Sequence, residues 1–120
     1  MTPESVVQRQ LDAFNARDLE ALMATYAEEA QQFEYPATLL VSGAAQVRER
    51  SRLRFMEPNL HARLIRRIVM GSVMIDHEEV TRTFPEGPGK LELVAMYEIK
   101  DGKIAVARFL FGAKTLDSSV

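Results

Sequence analysis

The sequence contains no cysteine among its 120 residues. Disulfide bonds, thiolate metal sites and a cysteine nucleophile are therefore excluded. No apolar run approaches the ~18 residues that cross a membrane, and residues 1–5 lack the basic and apolar stretches of a signal peptide. Because a small domain without disulfides suits a reducing compartment, we expect a cytoplasmic protein with no membrane partner.

Charge of neither sign dominates, since the formal net charge is −2. This near balance disfavours a nucleic-acid partner. An apolar fraction of 47% and a charged fraction of 27% are typical of a globular protein. Without internal repeats or linkers, residues 1–120 are expected to form a single domain.

Arginine is concentrated within residues 48–67. The arginines of a helix predicted over residues 44–56 point in two directions. Arg48 and Arg52 form one pair at i, i+4, and Arg50 and Arg54 form another. A solvated face with salt bridges is the ordinary interpretation. A patch that binds an anion or a nucleic acid is the alternative.

Three helices are expected in the first half of the chain. Thr2 is a candidate N-cap and Pro3 suits the first helical position. Asp18 is a candidate cap for a second helix, and a third is predicted over residues 44–56. One face of the first predicted helix consists of Val7, Gln10, Leu11 and Phe14. The same spacing gives one face of the second, which consists of Leu19, Leu22, Met23 and Tyr26.

Strands make up the rest of the prediction. A short strand is expected over residues 31–35, and longer strands over 60–70, 73–84, 91–99 and 104–111. This order predicts an α+β fold in which three N-terminal helices pack on a mostly antiparallel sheet.

Two registers are open for the last hairpin, which turns around Asp101-Gly102. A two-residue loop pairs Ile99 with Ile104. A three-residue loop pairs Ala95 with Ala107 and gives one continuous apolar face, so we expect the three-residue loop. That face consists of Leu91, Leu93, Ala95, Tyr97, Ala105, Ala107, Phe109 and Phe111.

The opposite face of this hairpin is also partly apolar. It carries Val94, Met96, Ile104, Val106 and Leu110, beside Glu92, Glu98 and Arg108. Because the sequence predicts no fourth helix to cover it, we expect a homodimer through the sheet.

Several stretches resemble the nuclear transport factor 2-like superfamily, which includes ketosteroid isomerases and SnoaL-like cyclases. The similar stretches lie in the same order within residues 6–112. They are Val6-Val7-Gln8-Arg9, Phe14-Asn15-Ala16-Arg17-Asp18-Leu19, Tyr26-Ala27-Glu28-Glu29-Ala30, Phe33-Glu34-Tyr35-Pro36 and Arg108-Phe109-Leu110-Phe111-Gly112. The resemblance implies a cone-like α+β barrel, with helices on a curved sheet.

The resemblance also tests for isomerase chemistry. Ketosteroid isomerases use a carboxylate base and two protonated donors, a Tyr and a neutral Asp. By the resemblance the base falls at Glu34 or Tyr35, the Tyr falls at Gln10 and the Asp falls at Ala95. Because the oxyanion hole is absent, steroid isomerisation by that mechanism is not expected.

A cone of this kind is expected to hold a pocket for a small apolar or aromatic molecule. The predicted ligand-binding residues are Gln10, Phe14, Tyr26, Tyr35, Ala95, Tyr97, Ala107, Phe109 and Phe111. The alternative is that these side chains fill a solid core.

Three residues are candidate catalytic groups. Glu34 is the natural general base if it faces the pocket, and Tyr35, which alternates with it, is a candidate acid or donor. His77 shares a strand face with Glu79 and is a candidate member of an acid/base pair. No cofactor is expected, and no metal site, because no second motif completes one.

Two classes of function follow. One is an enzyme that moves a proton next to a carbonyl, as in isomerisation, cyclisation or hydration. The other is a non-catalytic dimer that binds a ligand or serves as a protein-interaction scaffold.

Overall fold

The computed structural model describes residues 2–117. Within them it has three helices and six strands, which form one sheet in the order β2-β1-β6-β5-β4-β3. Only the pair β1 and β6 is parallel. The elements are α1 (Pro3–Ala16), α2 (Leu19–Met23), β1 (Tyr26–Glu34), β2 (Thr38–Ser42), α3 (Ala44–Arg54), β3 (His61–Met70), β4 (Val73–Phe84), β5 (Gly87–Lys100) and β6 (Lys103–Leu116).

The helices pack on the sheet as the predicted α+β class requires. α1 contacts β3, β4, β5 and β6, whereas α3 contacts β1 and β2. Thr2 Oγ1 caps α1 by accepting a hydrogen bond from the backbone N–H of Ser5 at 3.1 Å, as the sequence predicts. No helix within residues 2–117 has the length and apolar character needed to cross a membrane.

The second helix is shorter than predicted. Asp18 caps it as expected, but α2 ends at Met23 and Tyr26 begins β1 instead of extending the helix. The cause is Thr25, whose hydroxyl donates to the carbonyl of Leu22 at 2.7 Å. The carbonyl of Thr25 accepts from the backbone N–H of Ile104 at 2.8 Å, which joins the chain to the sheet at this point.

The first two strands depart from the prediction. β1 begins five residues before the expected strand 31–35, and β2 (Thr38–Ser42) is not predicted at all. β2 pairs antiparallel with β1 and lies at the sheet edge. Its five residues are half-buried or exposed, so it has no clear alternation of apolar and polar positions.

The last hairpin turns on two residues, so the expected three-residue loop is wrong. Asp101 and Gly102 both have positive φ, 52° and 74°, as a two-residue primed turn requires. Ile99 pairs with Ile104 directly beside the turn. Ile104 is therefore fully buried and does not lie on the partly exposed outer face where the sequence analysis places it.

A bulge at Ala105 restores the predicted inward face further along the hairpin. Tyr97 pairs with Ala107, and Ala95 pairs with Phe109 instead of Ala107. The extra residue shifts the register without exchanging the two faces. The side predicted to face inward therefore does so, with the partners of Leu93 and Ala95 displaced by two residues and that of Leu91 by three.

β4 determines what the sheet presents to the helices. Its side chains alternate in burial along the strand, with the even-numbered ones inward. Met74 and Val80 are buried apolar residues at either end of this inward row. Asp76 and Glu78 lie between them, so two carboxyl groups are buried on the same face.

Gly89 allows a close approach between β5 and β6. A Cβ there would lie 2.5 Å from the carbonyl oxygen of Thr115 and 3.0 Å from Cα of Leu116. Because both are backbone atoms, they cannot move without disturbing the strand pair. We expect Gly89→Ala to lower the free energy of unfolding by about 1–3 kcal/mol, measured by urea denaturation.

The neighbouring Lys90→Ala is the matched control, because the Lys90 side chain is exposed. It should change the stability by less than about 0.5 kcal/mol. A Gly89→Ala variant as stable as the wild type would contradict the predicted clash.

Candidate active site

A cavity of about 100 Å³ lies between the helices and the sheet. The aromatic side chains of Phe14, Phe109 and Phe111 are part of its wall, so they leave space instead of filling the core. The complete lining is Gln10, Leu11, Phe14, Leu22, Tyr26, Gln32, Arg50, Ser51, Arg54, Leu60, Ala62, Glu78, Val80, Arg82, Leu91, Leu93, Tyr97, Phe109 and Phe111.

Most of the predicted ligand-binding residues are in this wall. The six that line the cavity are Gln10, Phe14, Tyr26, Tyr97, Phe109 and Phe111. Ala95 and Ala107 are fully buried in the sheet and do not line it. Tyr35 lies elsewhere. Ligand binding by the six remains a prediction that their position permits.

Glu34 and Tyr35 lie outside the cavity. Glu34 is the last residue of β1 and is exposed, and the Tyr35 side chain is 50% exposed in the following turn. Both residues lie beyond Gln32, the last residue of β1 that lines the cavity. Tyr35 instead lines a second pocket, of about 240 Å³, on the other face of the sheet, with Val94, Met96, Arg108 and Leu110.

His77 also faces away from the cavity. Its Nε2 lies 2.6 Å from Oε2 of Glu92 on β5, so its partner is not the expected Glu79. Glu79 pairs with Arg63 at 3.4 Å. This placement gives the three predicted catalytic residues, Glu34, Tyr35 and His77, no access to the cavity.

Glu78 is the ionisable group that the sequence analysis does not single out. Its side chain lines the cavity, the residue is 5% exposed, and Oε2 has no hydrogen-bond partner within residues 2–117. Burial, reinforced by the charge of Asp76, raises the pKa of Glu78 to about 8. The carboxyl group is therefore mostly protonated at neutral pH. The available signal was the inward row of β4, where Met74 and Val80 flank the two acids.

Asp76 acts on Glu78 from behind the cavity wall. It is fully buried and forms a bidentate pair with Arg67, at 2.7 and 2.9 Å. Arg67 also donates to Oε1 of Gln8 at 3.0 Å. The hydrogen bonds that Arg67 donates to Asp76 raise the pKa of Arg67. Because the guanidinium is taken by Asp76, Glu78 has no cation bonded to it.

Neutral polar groups surround Glu78 in the lining. Burial raises the pKa of Tyr26 to about 12 and that of Tyr97 well above its usual value, so both keep their protons. Tyr26 accepts a hydrogen bond from Nε2 of Gln32 at 3.3 Å, which leaves its own proton to be donated. Oε1 of the buried Gln10 has no partner within residues 2–117. A ligand oxygen in the cavity would meet hydroxyl donors.

The arginines of α3 divide between two environments. Arg48 and Arg52 form exposed pairs with Glu20 and Glu49, each at 2.6 Å, which is the solvated face that the sequence predicts. Arg50 and Arg54 line the cavity instead. The charged lining therefore combines a carboxyl group from β4 with guanidinium groups from α3.

A known protein family matches most of the chain. The family profile described as a SnoaL-like domain matches residues 7–107. The chain belongs to the SnoaL-like family. This places it in the nuclear transport factor 2-like superfamily, as its sequence motifs imply. No curated protein matches the chain.

Solved structures show the same cone-like fold in other SnoaL-like and related proteins. An uncharacterised cystatin-fold protein from Novosphingobium aromaticivorans has a TM-score of 0.84 at 20% identity, covering 92% of this chain and 98% of its own. A proposed polyketide cyclase from Sinorhizobium meliloti has a TM-score of 0.73 at 24% identity, covering 88% and 93%. An LEH-like epoxide hydrolase from M. tuberculosis has a TM-score of 0.76 at 14% identity, covering 90% and 80%. At these identities the likeness shows the fold alone.

The raised pKa of Glu78 predicts how stability depends on pH. Between its ordinary pKa of 4.5 and its folded value of about 8, the folded state binds the proton more strongly than the unfolded state. The stabilisation is complete below pH 4.5 and is lost as pH rises to about 8. The total is on the order of 5 kcal/mol.

Glu78→Gln keeps the shape of the protonated acid but does not titrate. The free energy of unfolding of wild type minus that of this variant should fall as pH rises from 5 to 9, measured by denaturant titration at each pH. Subtraction removes the contributions of the groups that both proteins share. A difference that stays constant with pH would show that Glu78 has an ordinary pKa.

Proposed function

We propose that this SnoaL-like protein is an enzyme that moves a proton next to a carbonyl group of a small apolar or aromatic molecule, with Glu78 as its acid/base residue. The observation that carries the proposal is the unpartnered carboxyl oxygen of Glu78 in the wall of an apolar cavity. A buried carboxyl group with a pKa near the working pH is suited to take a proton and to return it.

The proton transfer has a simple balance. Ionised Glu78 removes a proton from the carbon next to the carbonyl, and negative charge develops on the carbonyl oxygen. Tyr26 and Tyr97 line the same cavity and keep their hydroxyl protons, so either is placed to donate a hydrogen bond to that oxygen. Protonated Glu78 then returns the proton to a different carbon of the same molecule, which completes an isomerisation. In a cyclisation the carbanion would instead attack a second carbonyl carbon of the ligand, and Glu78 would give its proton to the alkoxide oxygen that forms.

The site differs from the isomerase pattern in where the carboxyl group comes from. The isomerase base falls by resemblance at the end of β1, where Glu34 is exposed in this protein. Among residues 2–117, Glu78 on β4 supplies the only carboxyl group in the lining of this cavity. The proposed base of this protein therefore lies on β4, whereas the isomerase pattern places it on β1. Both strands line the cavity.

The similar proteins support this class of chemistry. Two of them are described as a polyketide cyclase and as an epoxide hydrolase, and both reactions need a group that gives or takes a proton. Family membership supports the same conclusion. The proposal places the enzyme in the cytoplasm, where a chain without cysteine loses no disulfide to reduction.

A direct test follows the exchange of carbon-bound protons. Cyclohexanone and acetophenone in D₂O exchange the protons next to their carbonyl groups slowly, which NMR detects. We expect the wild-type protein to accelerate this exchange, and the rate to rise with pH up to about 8 as Glu78 ionises. Glu78→Gln should lose about 10²-fold or more of the acceleration.

Glu34→Gln and His77→Gln are the matched controls, because both residues lie outside the cavity. Both variants should keep the wild-type rate. Exchange that survives in Glu78→Gln but is lost in either control would move the base to that residue. Ketone binding without accelerated exchange would instead support the non-catalytic ligand-binding protein.

We also propose that two copies associate through the outer face of the sheet, the face opposite the helices. Tyr35 and Leu110 are 50% and 48% exposed there, beside half-buried Val94 and Met96. Arg108 and Glu98 form an ion pair on the same face, which would leave apolar surface free to pair with a second copy. An exposed apolar patch of this kind is typical of an interface.

Leu110→Glu should separate the dimer, because it places a charge in the proposed interface. Light scattering coupled to size exclusion is expected to give the wild type twice the 13.5 kDa mass of the chain and the variant a single mass. Leu53→Glu, on α3 and equally exposed at 53%, should remain dimeric. A wild type with the mass of one chain at micromolar concentration would contradict the proposal.

A further inference from the structure

We propose that the ligand of the cavity is a compact organic acid, whose carboxylate binds Arg50 while its other end reaches Glu78. This inference rests on the proposed function and names the substrate class of that site. It depends on the contacts of Arg50, on the charge of the cavity wall and on the order of groups from the cavity mouth inward.

Arg50 has no carboxylate partner within residues 2–117, although it is partly buried. It donates to the neutral Oε1 of Gln32 at 2.8 Å, and its guanidinium lies 5.4 Å from the centre of the Phe109 ring. The other arginines of the same helix are all paired. They form ion pairs at 2.6 to 2.7 Å, Arg48 with Glu20, Arg52 with Glu49 and Arg54 with Glu57.

The surroundings of Arg50 lower its pKa. Burial is the main cause that lowers its pKa, and the positive charges of Arg54 and Arg82 add to the effect. A half-buried cation without a counter-charge is unfavourable unless a ligand supplies the missing anion. The guanidinium group has five N–H donors, so one hydrogen bond to Gln32 leaves several for a carboxylate.

The cavity wall carries an excess of positive charge, although the whole chain has a net charge of −2. Arg50, Arg54 and Arg82 all contribute to the lining. Glu57 pairs with Arg54 and Arg82, at 2.7 and 3.1 Å, so one carboxylate serves two of the three. Glu78 adds no negative charge while it is protonated. An anionic ligand would balance this charge.

The order of groups gives the ligand a direction. Ser51, Arg54, Arg82 and Phe111 are partly exposed and mark the mouth, whereas the Glu78 end is buried. Arg50 is partly buried and is coupled electrostatically to Tyr26 and Tyr97, the hydroxyl groups of the buried end. A bound acid would therefore hold its carboxylate at Arg50 and direct its carbonyl group towards Glu78.

The size of the cavity limits the acid. An enclosed space of ~150 Å³ holds benzene, so a cavity of about 100 Å³ does not enclose a whole ring, and an acid with one ring would extend into the open mouth. The rings of Phe109 and Phe111 stack at 6.2 Å between their centres and form an apolar wall for that ring. Arg50 then provides the planar fork that matches a carboxylate.

The test compares benzoate with benzamide, which has the same shape and no charge. We expect the wild type to bind benzoate at least ~10-fold more tightly than benzamide by isothermal titration calorimetry. Arg50→Gln should remove this preference while benzamide affinity stays within about twofold. Arg50→Lys keeps the charge and loses the planar fork, so it should retain part of the preference for benzoate. It is also the control for a loss of folding in Arg50→Gln.

Arg52→Gln is the matched control, because Arg52 lies on the same helix in an exposed pair with Glu49. It should bind both probes as the wild type does. Equal binding of the two probes by the wild type, no binding of either, or a preference that survives in Arg50→Gln would overturn the inference. Glu78→Gln is expected to keep the benzoate preference, so failed proton transfer with intact acid binding would count against Glu78 alone.

Discussion

Two carboxyl groups and one guanidinium group lie on the buried face where β3 and β4 meet. The chemistry of the site depends on which of the two carboxyl groups forms an ion pair with the guanidinium. Arg67 lies across from Asp76 in the strand register and binds both of its carboxylate oxygens. Glu78, two residues along the same inward row, is left without a cation bonded to it. Because Asp76 is charged and close, it adds to burial in holding the proton on Glu78. The ion pair thus sets the acidity of the group that faces the cavity.

Asp76 and Glu78 differ in role although both are carboxylic acids on the same face of β4. Asp76 stabilises the fold through its ion pair, and of the two only Glu78 lines the cavity. Removing one partner of a buried ion pair leaves an uncompensated charge, so Asp76 and Arg67 are constrained by stability. Glu78 has no such partner, and its proton is free to respond to whatever occupies the cavity.

The sequence predicts the parts of this protein that local chemistry determines. The caps at Thr2 and Asp18 and the limits of β4 follow from side chains and turn residues close to them in the chain. The hairpin register does not, because the bulge at Ala105 keeps the apolar face inward under a pairing that simple alternation excludes. Glu78 was equally hard to recognise, since a buried acid breaks the apolar pattern that identifies an inward face. The signal for its inward position was the pair of apolar residues Met74 and Val80 on the same face of β4.

Arg50 and Glu78 line one cavity and pose an electrostatic question, since an anionic ligand would oppose the ionisation of a nearby acid. Arg50 resolves it if it binds that anion directly, because the ligand's charge is then neutralised at Arg50. The proton affinity of Glu78 would remain set by burial and by Asp76, and the acid would keep a pKa near the working pH. Within the described residues, Arg50 has no carboxylate partner and one carboxyl oxygen of Glu78 has no hydrogen-bond partner, and each is unfavourable by itself. They form a consistent pair once a ligand with a carboxylate at one end and a carbonyl group at the other lies between them.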